Sequence, residues 1–216
     1  MSLPAQVLIA APVIELDTID STNNYAMQLI DADTAQPGLT VTAGEQTHGK
    51  GQRGRVWEAA PGDNVLMSIV LDPGRTADRQ FAFLTAVAVA VADTLLDVYE
   101  HWDVRIKWPN DIIVNDKKAG GILIENVLKG GIWTYSVVGL GLNVLQYEFP
   151  PSLPHAISLR MAAGKEFSVR ELALKIRERI LTYTSGEAAD VLFDRYNQYI
   201  YRRSQKQLFT SGDDAW

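Results

Sequence analysis

The sequence predicts an α+β fold in which a mixed, largely antiparallel sheet is flanked by helices. Strand-like apolar runs cluster along the chain with few helical patterns between them, whereas a parallel fold would alternate strands and helices regularly. Residues 107–125 predict a hairpin, which is an antiparallel connection. Residues 79–99 are rich in Ala, Val and Leu and apolar on nearly every side, so they predict a buried helix.

The bulk composition fits one globular domain. The chain has 216 residues, of which 47% are hydrophobic and 21% are charged, and this balance excludes extended disorder. A net charge of -6 and a pI near 5.1 argue against a nucleic-acid-binding protein, which would carry a basic face. The chain has no cysteine, which excludes disulfides, thiol catalysis and Cys-based zinc sites. Its three histidines are far apart in sequence and give little support for a metal site.

The N-terminal segment does not predict a signal peptide. It carries no basic residue before its short apolar run, and Pro4 and Pro12 bracket that run. The longest apolar stretch, residues 81–91, is too short to span a membrane. We therefore expect a cytoplasmic protein that binds neither membrane nor nucleic acid, and the lack of cysteine is compatible with a reducing compartment.

The first elements are strands and a short helix. Strands are predicted at residues 7–10, 13–16 and 39–43. The polar cluster DSTNN at residues 20–24 can accept hydrogen bonds from the free N–H groups at a helix start, and apolar residues at one-face helical spacing follow it. On these residues alone, Ser21 or Thr22 is simply a helix N-cap.

A glycine-rich loop follows at residues 44–57. Residues 49–54 match the G-x-G-x-x-G pattern of dinucleotide-binding folds, but that motif requires a helix directly after it, and here Pro61, Gly62 and Asp63 interrupt a stretch without helical period. The loop also lacks a Walker lysine. It can still present backbone N–H groups and three cations to a phosphate. These cations are Lys50, Arg53 and Arg55.

The central part of the chain predicts a strand, a long helix and the hairpin. Residues 64–71 form an uninterrupted strand pattern that suits a central position. In the hairpin, Pro109 ends a strand over residues 104–107, and Asn115 and Asp116 form the turn between two apolar runs. Gly120 and Gly121 lack a Cβ and so permit close approach of a ligand or backbone. The alternative is a sturdy hairpin whose lysines are solvated and whose polar residues only make turns.

The remaining elements are a strand, a connector and two helices. A strand is predicted at residues 132–138 with an exit through GLGLN, and residues 149–154 form a proline-rich connector. Ser168 and Glu171 form a capping box for the first helix, and a second helix extends to about Arg203. From residue 207 the chain begins another strand and then stops.

The motif KWPND at residues 107–111, followed by Lys118, glycines and an apolar run ending in Glu125, resembles the signature of biotin protein ligases. The resemblance extends over about residues 7–203. It implies a biotin/lipoate ligase catalytic domain at residues 1–203, with a fold similar to class II aminoacyl-tRNA synthetases. Residues 204–216 are then either the residual start of a C-terminal domain or a tail. It also implies a monofunctional type that lacks the DNA-binding domain and most of a C-terminal β-barrel.

The family's reaction activates biotin with ATP and Mg2+ to biotinyl-AMP and transfers biotin to a lysine of a biotin carboxyl carrier protein, of the acetyl-CoA carboxylase type. The resemblance assigns catalysis to Lys118, which bridges the carboxylate and the α-phosphate, with Lys107 and Arg53 on the other phosphates. Asp111 orients the incoming amine or helps to hold the metal. The implied enzyme is a monomer or a homodimer.

The resemblance also implies two sets of binding residues. Biotin contacts are expected from Ser21, Thr22, Asn23, Gln46, Gly49, Lys50, Gly51, Gln52, Lys118, Gly121, Gly139 and Gly141. Contacts to ATP and the adenylate are expected from Lys50, Arg53, Arg55, Trp57, Lys107, Asn110, Lys118 and Asn143.

Two positions depart from the family pattern. Lys50 and Gln52 stand where many members have arginine. Lys50 keeps the charge without the planar fork, whereas Gln52 loses the charge at a position that helps to retain the adenylate. Trp57 either stacks on adenine or is a buried core residue. The alternative functions are a lipoate or octanoate ligase or transferase of the same fold, and a non-catalytic module that binds biotin or the carrier.

Overall fold

The computed structural model describes residues 3–73, 80–130, 132–186, 189–205, 210–211 and 214–215. The helices are α1 (Ala5–Ile9), α2 (Thr22–Asp31), α3 (Gln80–Val98), α4 (Leu159–Ala163), α5 (Val169–Ser185) and α6 (Ala189–Tyr199). The strands are β1 (Val13–Ile19), β2 (Thr40–Gln46), β3 (Asn64–Leu71), β4 (Val104–Lys107), β5 (Asp111–Val114), β6 (Lys117–Lys129), β7 (Ile132–Asn143), β8 (Thr210–Ser211) and β9 (Asp214–Ala215).

Seven strands form one mixed sheet in the order β1-β2-β3-β7-β6-β5-β4. Strands β1 and β2 are parallel, and all other neighbours in this sheet are antiparallel. The short strands β8 and β9 pair only with each other. The predicted α+β class with a largely antiparallel sheet is confirmed.

The two faces of the sheet have different coverings. All eight residues of β3 are buried. Met67 and Ile69 belong to the large core that includes residues of α3 and α5, whereas Val70 packs with Ala26 and Ile30 of α2. Because side chains alternate along a strand, residues of β3 and β7 point in turn to the helical core and to the α2 face. The candidate site lies on the α2 face.

Helix α3 is the predicted buried helix. It is long and apolar enough to cross a membrane by length and composition, but 67% of its most apolar window is buried inside the protein. Its one buried carboxylate, Asp93, accepts hydrogen bonds from the hydroxyls of Tyr183 and Tyr199 at 2.8 Å and pairs with Arg195 at 2.6 Å. This network joins α3 to α5 and α6. Burial and these hydrogen bonds to Asp93 raise the pKa of both tyrosines.

The predicted hairpin is present as β5 and β6. Asn115 and Asp116 at its turn have φ values of 49° and 65°. Two central residues with positive φ match the turn type that fits the right-handed twist of two-residue hairpins, and Asn and Asp tolerate it better than most residues. The turn therefore lies where the sequence predicts it, and Lys117 and Lys118 follow directly after it.

Four expectations need correction or limitation. Residues 7–10, predicted as a strand, lie in and just after α1, whose carbonyls at Leu8 and Ile9 accept hydrogen bonds from the buried Arg177 guanidinium. Strand β7 does not end at residue 138 but runs through GLGLN to residue 143. Helix α6 ends at Tyr199 rather than near residue 203. The predicted start of a strand at 207 lies outside the described residues, and β8 begins at Thr210.

Candidate functional site

A cleft of about 540 Å³ opens on the α2 face of the sheet. Its walls come from the start of α2, the glycine-rich loop, the β4–β6 region and the cleft-facing side of β7. Every residue for which a binding or catalytic role is predicted lies within the described ranges, and all of them except Gly49 line this cleft. Segments far apart in the chain are therefore brought into one cavity.

Glycines of β6 and β7 form the floor of the cleft. Gly121 and Gly141 lie opposite each other in the register, and Gly139 follows on the same face. A Cβ at Gly141 would overlap the Trp57 ring, and a Cβ at Gly139 would overlap the Asn23 side chain. These glycines therefore let Trp57 and Asn23 lie directly on the sheet.

The start of α2 forms a polar pocket at one end of the cleft. Gln46 Oε1 accepts hydrogen bonds from the Thr22 backbone N–H at 2.8 Å and from the Thr22 hydroxyl at 3.0 Å. Gln46, from β2, thus supplies the helix cap across the fold. Helix α2 lies entirely within the described ranges, and the Ser21 hydroxyl accepts no hydrogen bond from its N–H groups. Ser21 lines the cleft instead. Ser21 does occupy the N-cap position of α2, as one interpretation predicted, but the cap hydrogen bond is accepted by Gln46 and not by the Ser21 hydroxyl.

Two further residues support this pocket and were not predicted. The Ser68 hydroxyl is fully buried, 2.7 Å from Thr22 Oγ1 and 2.6 Å from Asn23 Oδ1. Glu125 accepts a hydrogen bond of 2.7 Å from Asn23 Nδ2. Ser68 is the only polar residue between Val65 and Leu71, which is the signal that identifies it in the sequence. The pocket therefore offers hydroxyl and amide groups of fixed orientation.

The glycine-rich loop folds back on itself beside this pocket. The Trp57 N–H donates to the Gly49 carbonyl at 2.9 Å, and the Gly51 N–H donates to the Arg55 carbonyl at 2.7 Å. Gly49 is buried and does not line the cleft. Arg53 adopts the left-handed conformation at φ 55°. Lys50 Nζ lies 3.5 Å from Glu125 Oε1, which links the loop to the polar pocket.

Lys118 lies in the cleft with its ammonium 2.7 Å from Asp111 Oδ1. Simple alternation from Gly120 and Ile122 would point Lys118 towards the core. The register shifts instead: Ile112 lies opposite Gly120 and Ile113 opposite Lys118, so Ala119 is an additional residue in β6. This β-bulge turns Lys118 to the cleft face.

The cleft is cationic although the protein is acidic. Its described lining includes five cations and two carboxylates, in a chain with a net charge of -6. Arg53, Arg55 and Lys107 form no ion pair with any residue in the described ranges. Cations that are not already paired are available to bind an anionic ligand, and phosphate is a strong acceptor for them.

The connector after β7 forms an unpredicted wall of the cleft. Its residues Phe149, Ser152, Leu153 and His155 line the cavity. The Lys118 N–H donates to the His155 carbonyl at 2.8 Å, and the Ile157 N–H donates to the Lys118 carbonyl at 2.9 Å. The prolines of this segment indicated only a connector, because its position depends on long-range pairing with β6.

Trp57 lies between the loop and the sheet. Its half-buried ring contacts the glycine floor, and the Lys118 ammonium lies 5.8 Å from its ring centroid. The indole N–H is buried without a hydrogen-bond partner among the described residues. Both predicted roles of Trp57, a packing residue and an aromatic surface for a ligand, are compatible with this placement.

A preformed metal centre is not found in the part of the chain that the structure describes. No three His, Cys, Asp or Glu side chains there come together as a metal-binding group. The described carboxylates that line the cleft are Glu58 and Asp111. A metal that enters this cleft would therefore need most of its ligands from a bound phosphate chain or water.

Comparisons with known proteins place the chain in a family. The sequence matches the Biotin/lipoate A/B protein ligase family over residues 15–143. It is 35% identical over 159 residues to the bifunctional ligase/repressor BirA of Bacillus spizizenii, covering 71% of this chain and 48% of the relative. It is 38% identical over 132 residues to the biotin–[acetyl-CoA-carboxylase] ligase of Paracoccus denitrificans, covering 58% of this chain and 51% of the relative. The chain spans about half the length of these curated relatives.

Among solved structures, the fold is similar to the biotin protein ligase of Aquifex aeolicus in complex with biotin and ATP. The TM-score is 0.78 at 25% sequence identity, and the match covers 94% of this chain and 84% of the other. The expected catalytic-domain fold is confirmed.

Proposed function

The chain belongs to the Biotin/lipoate A/B protein ligase family, and on that premise we propose that it activates biotin with ATP and transfers it to a lysine of a carrier protein. Relatives named as biotin ligases and a neighbour solved with biotin and ATP support this proposal. The observation that carries it is the joining of two chemically different regions in one cavity. A pocket of oriented hydroxyl and amide groups lines the same cleft as five cations, three of which form no ion pair within the described residues.

The polar pocket suits the ureido ring of biotin. A urea presents one carbonyl acceptor and two N–H donors, so it needs both donors and acceptors from the protein. Because Gln46 Oε1 is engaged by Thr22, the Gln46 amide N–H groups are left to donate to other partners. Ser21 and Asn23 also line this end of the cleft. Biotin's carboxylate tail would then extend towards the cations.

Lys118 is the proposed catalytic group of the first step. A carboxylate oxygen of biotin attacks the α-phosphorus of ATP, a new P–O bond forms, and the bond to the β-phosphate oxygen breaks to release pyrophosphate. Both reactants are anions, and a cation about 4 Å away at an effective dielectric near 20 contributes roughly 4 kcal/mol before desolvation. A cation between them stabilises the charge that develops in the transition state. Arg53 and Lys107 would hold the remaining phosphate charge.

In the second step the carrier lysine amine attacks the carbonyl carbon of biotinyl-AMP. An amide bond forms, the bond between the carbonyl carbon and the phosphate oxygen breaks so that AMP leaves, and the amine releases its proton to solvent. Asp111 lies in the cleft 2.7 Å from Lys118, and its proposed role is to orient this amine. Mg2+ is the proposed cofactor. Asp111 is the carboxylate that would share it with the triphosphate, and the bound metal would neutralise phosphate charge.

The carrier and the cellular setting are part of the proposal. The name of the Paracoccus relative favours the biotin carrier domain of acetyl-CoA carboxylase as acceptor. We further propose a cytoplasmic monomer or homodimer that acts without nucleic acid or membrane, in keeping with the acidic composition.

Lipoate is the second candidate acid, because the family includes lipoate ligases. Its dithiolane ring makes no strong hydrogen bonds, so it would cover the donor N–H groups of the Gln46 amide without offering them an acceptor, which costs about 1–3 kcal/mol for each buried group. Ser21, Thr22 and Asn23 are at most 3% exposed. The pocket therefore favours biotin.

Pyrophosphate exchange into ATP tests the function. The protein is incubated with ATP, Mg2+, labelled pyrophosphate and, in separate reactions, biotin, lipoate or octanoate. We expect exchange with biotin, followed by label transfer from biotin to a carrier domain in a second assay. Exchange with lipoate or octanoate alone would replace the proposal with the second candidate, and biotin binding without exchange would indicate a non-catalytic module.

A further inference from the structure

The backbone of Lys118 is held by a segment outside the seven-stranded sheet. Strand β7 ends at Asn143, one residue beyond the pair that Leu142 forms with Gly120, so β7 does not extend alongside Lys118. Residues 155–157 take the place of β7 there. They accept from the Lys118 N–H at 2.8 Å and donate to the Lys118 carbonyl at 2.9 Å. Both main-chain groups of the proposed catalytic residue thus depend on this segment.

Asn143 fixes the same segment from the other side. Its side chain is only 4% exposed, and its Nδ2 donates to the Ile157 carbonyl at 3.2 Å. Ile157 is therefore bonded through its N–H to Lys118 and through its carbonyl to Asn143. A continuous path of hydrogen bonds runs from the end of β7 to the backbone of Lys118.

The end of β7 is itself held rigidly by buried amides. Asn64 is 3% exposed, accepts from the Val144 N–H at 3.0 Å and donates to Gln146 Oε1 at 2.8 Å. The Arg160 N–H donates to the Val144 carbonyl at 2.9 Å, which joins the start of α4 to the same point. Asn143 is therefore held in a fixed position, and from there it hydrogen-bonds to residues 155–157 at the end of the connector.

We propose that Asn143 is a positioning residue for Lys118, acting through Ile157, and that its principal role is not a direct contact with the nucleotide. This inference rests on the proposed function. The bulge at Ala119 interrupts the regular pairing of β6 with β5 next to Lys118, so residues 155–157 supply the restraint that the ladder lacks. A displacement of about 1 Å at a reacting group costs about 100-fold in rate, so loss of this restraint reduces turnover.

A double-mutant cycle separates the two roles. Biotin-dependent exchange is measured at saturating ATP and biotin for the unaltered protein, Asn143→Ala, Lys118→Ala and the double variant. We expect Asn143→Ala to slow exchange about tenfold or more with little change in the KM for ATP. In the Lys118→Ala background the same change should have less than about a twofold effect, because residues that act as a unit are not additive. The positioning role would be overturned if the double variant lost as much rate as the product of the two single losses. It would also be overturned if Asn143→Ala raised only the KM for ATP.

Amide hydrogen exchange provides a readout that does not depend on activity. Asn143→Ala should speed exchange of the Lys118 and Ile157 N–H groups and leave that of Val138, in the middle of β7, unchanged. Unchanged protection at Lys118 and Ile157 would contradict the proposal. The matched control is Asn126→Ala, which loses a 2.7 Å hydrogen bond from Ser136 away from the cleft. This variant should exchange biotin-dependent pyrophosphate at the normal rate.

The same experiments distinguish this inference from the proposed function. If the unaltered protein gives no biotin-dependent exchange, the proposed function is wrong and the catalytic role of Asn143 is wrong with it. If the unaltered protein is active but Asn143→Ala is fully active, only the positioning role is overturned.

Discussion

The ammonium of Lys118 is held in the cleft by one short ion pair and by the bulge in β6. In the ion pair with Asp111, the Lys118 side chain is 40% exposed and the Asp111 side chain is 22% exposed. Ion pairs near the surface contribute little to the free energy of folding. This ion pair is therefore not needed for stability, which suits the catalytic role that we propose for Lys118. A substitution there should separate activity from folding.

We expect Lys118→Ala to slow biotin-dependent pyrophosphate exchange by about 100-fold or more, because it removes a cation from between two anions. The matched control is Lys117→Ala, since Lys117 is the exposed neighbour in β6 and does not line the cleft. The control should retain normal exchange, and both variants should unfold within about 1 kcal/mol of the unaltered protein. Equal rates for the two variants would show that Lys118 has no special role.

Gln52 provides a second test at this scale. It lines the cleft without a charge, next to Arg53. We expect Gln52→Arg to slow release of labelled biotinyl-AMP from the protein by about tenfold or more, since a hydrogen bond from a charged group contributes about 1.5–3 kcal/mol. Gln52→Met is the control of similar size without charge. Release that is no slower in the arginine variant than in the methionine variant would contradict a phosphate-binding role for this position.

The residues of the cleft could be predicted only in part from the sequence. The KWPND and glycine-rich motifs are local, and they gave a large part, though less than half, of the residues that line the cavity. Ser68 is marked in the sequence only as the one polar residue of an apolar strand. His155 contributes through pairing between distant segments, and no local pattern marks it as a site residue. Lys118 was found through its motif, whereas its direction into the cleft depends on an additional residue in one strand, which period-two alternation cannot reveal.

At the scale of elements, prediction succeeded where local chemistry determines the structure. The Asn115–Asp116 turn, the apolar strand β3 and the capping of α5 by Ser168 each follow from a few neighbouring residues. Ser168 accepts from the Glu171 N–H at 3.3 Å, as half of the capping box requires. Helix α1 was missed because the tertiary contacts of Arg177 stabilise it, and β7 was predicted too short because its glycines pair with β3 and β6.

Helix α6 allows a test of burial through pH. Burial raises the pKa of Tyr196 to about 12, and its hydroxyl makes only a long 3.5 Å contact to the Pro109 carbonyl. Below about pH 10 both folded and unfolded states keep the proton, so burial in the protonated form contributes fully to stability. As pH rises from about 10 to 12 the unfolded state releases the proton first, and this stability is lost.

We therefore expect Tyr196→Phe to gain stability relative to the unaltered protein between pH 9 and pH 11. At pH 9 the substitution should change the free energy of unfolding by less than about 1 kcal/mol, because only a weak hydrogen bond is lost. Urea unfolding at both pH values measures the difference. If the difference between the two proteins does not depend on pH, ionisation of Tyr196 is not linked to folding.

At the scale of the whole molecule, charge is distributed unevenly. The protein is acidic, with a net charge of -6, yet its cleft is lined by five cations. An anionic nucleotide is therefore attracted to the cleft and repelled by much of the remaining surface. This cleft is held in place from both faces of the sheet. On one face, glycines let Trp57 and Asn23 pack directly on the strands, and on the other face helices cover the sheet.

The central claim is that this cleft joins biotin to the α-phosphate of ATP. Mass spectrometry of the small molecules formed from ATP, Mg2+ and biotin, with pyrophosphatase present, measures it most directly. We expect biotinyl-AMP to form only when biotin is present, and we expect Lys118→Ala to form it at least about 100-fold more slowly. Formation of ADP, or unchanged ATP with biotin bound, would contradict it.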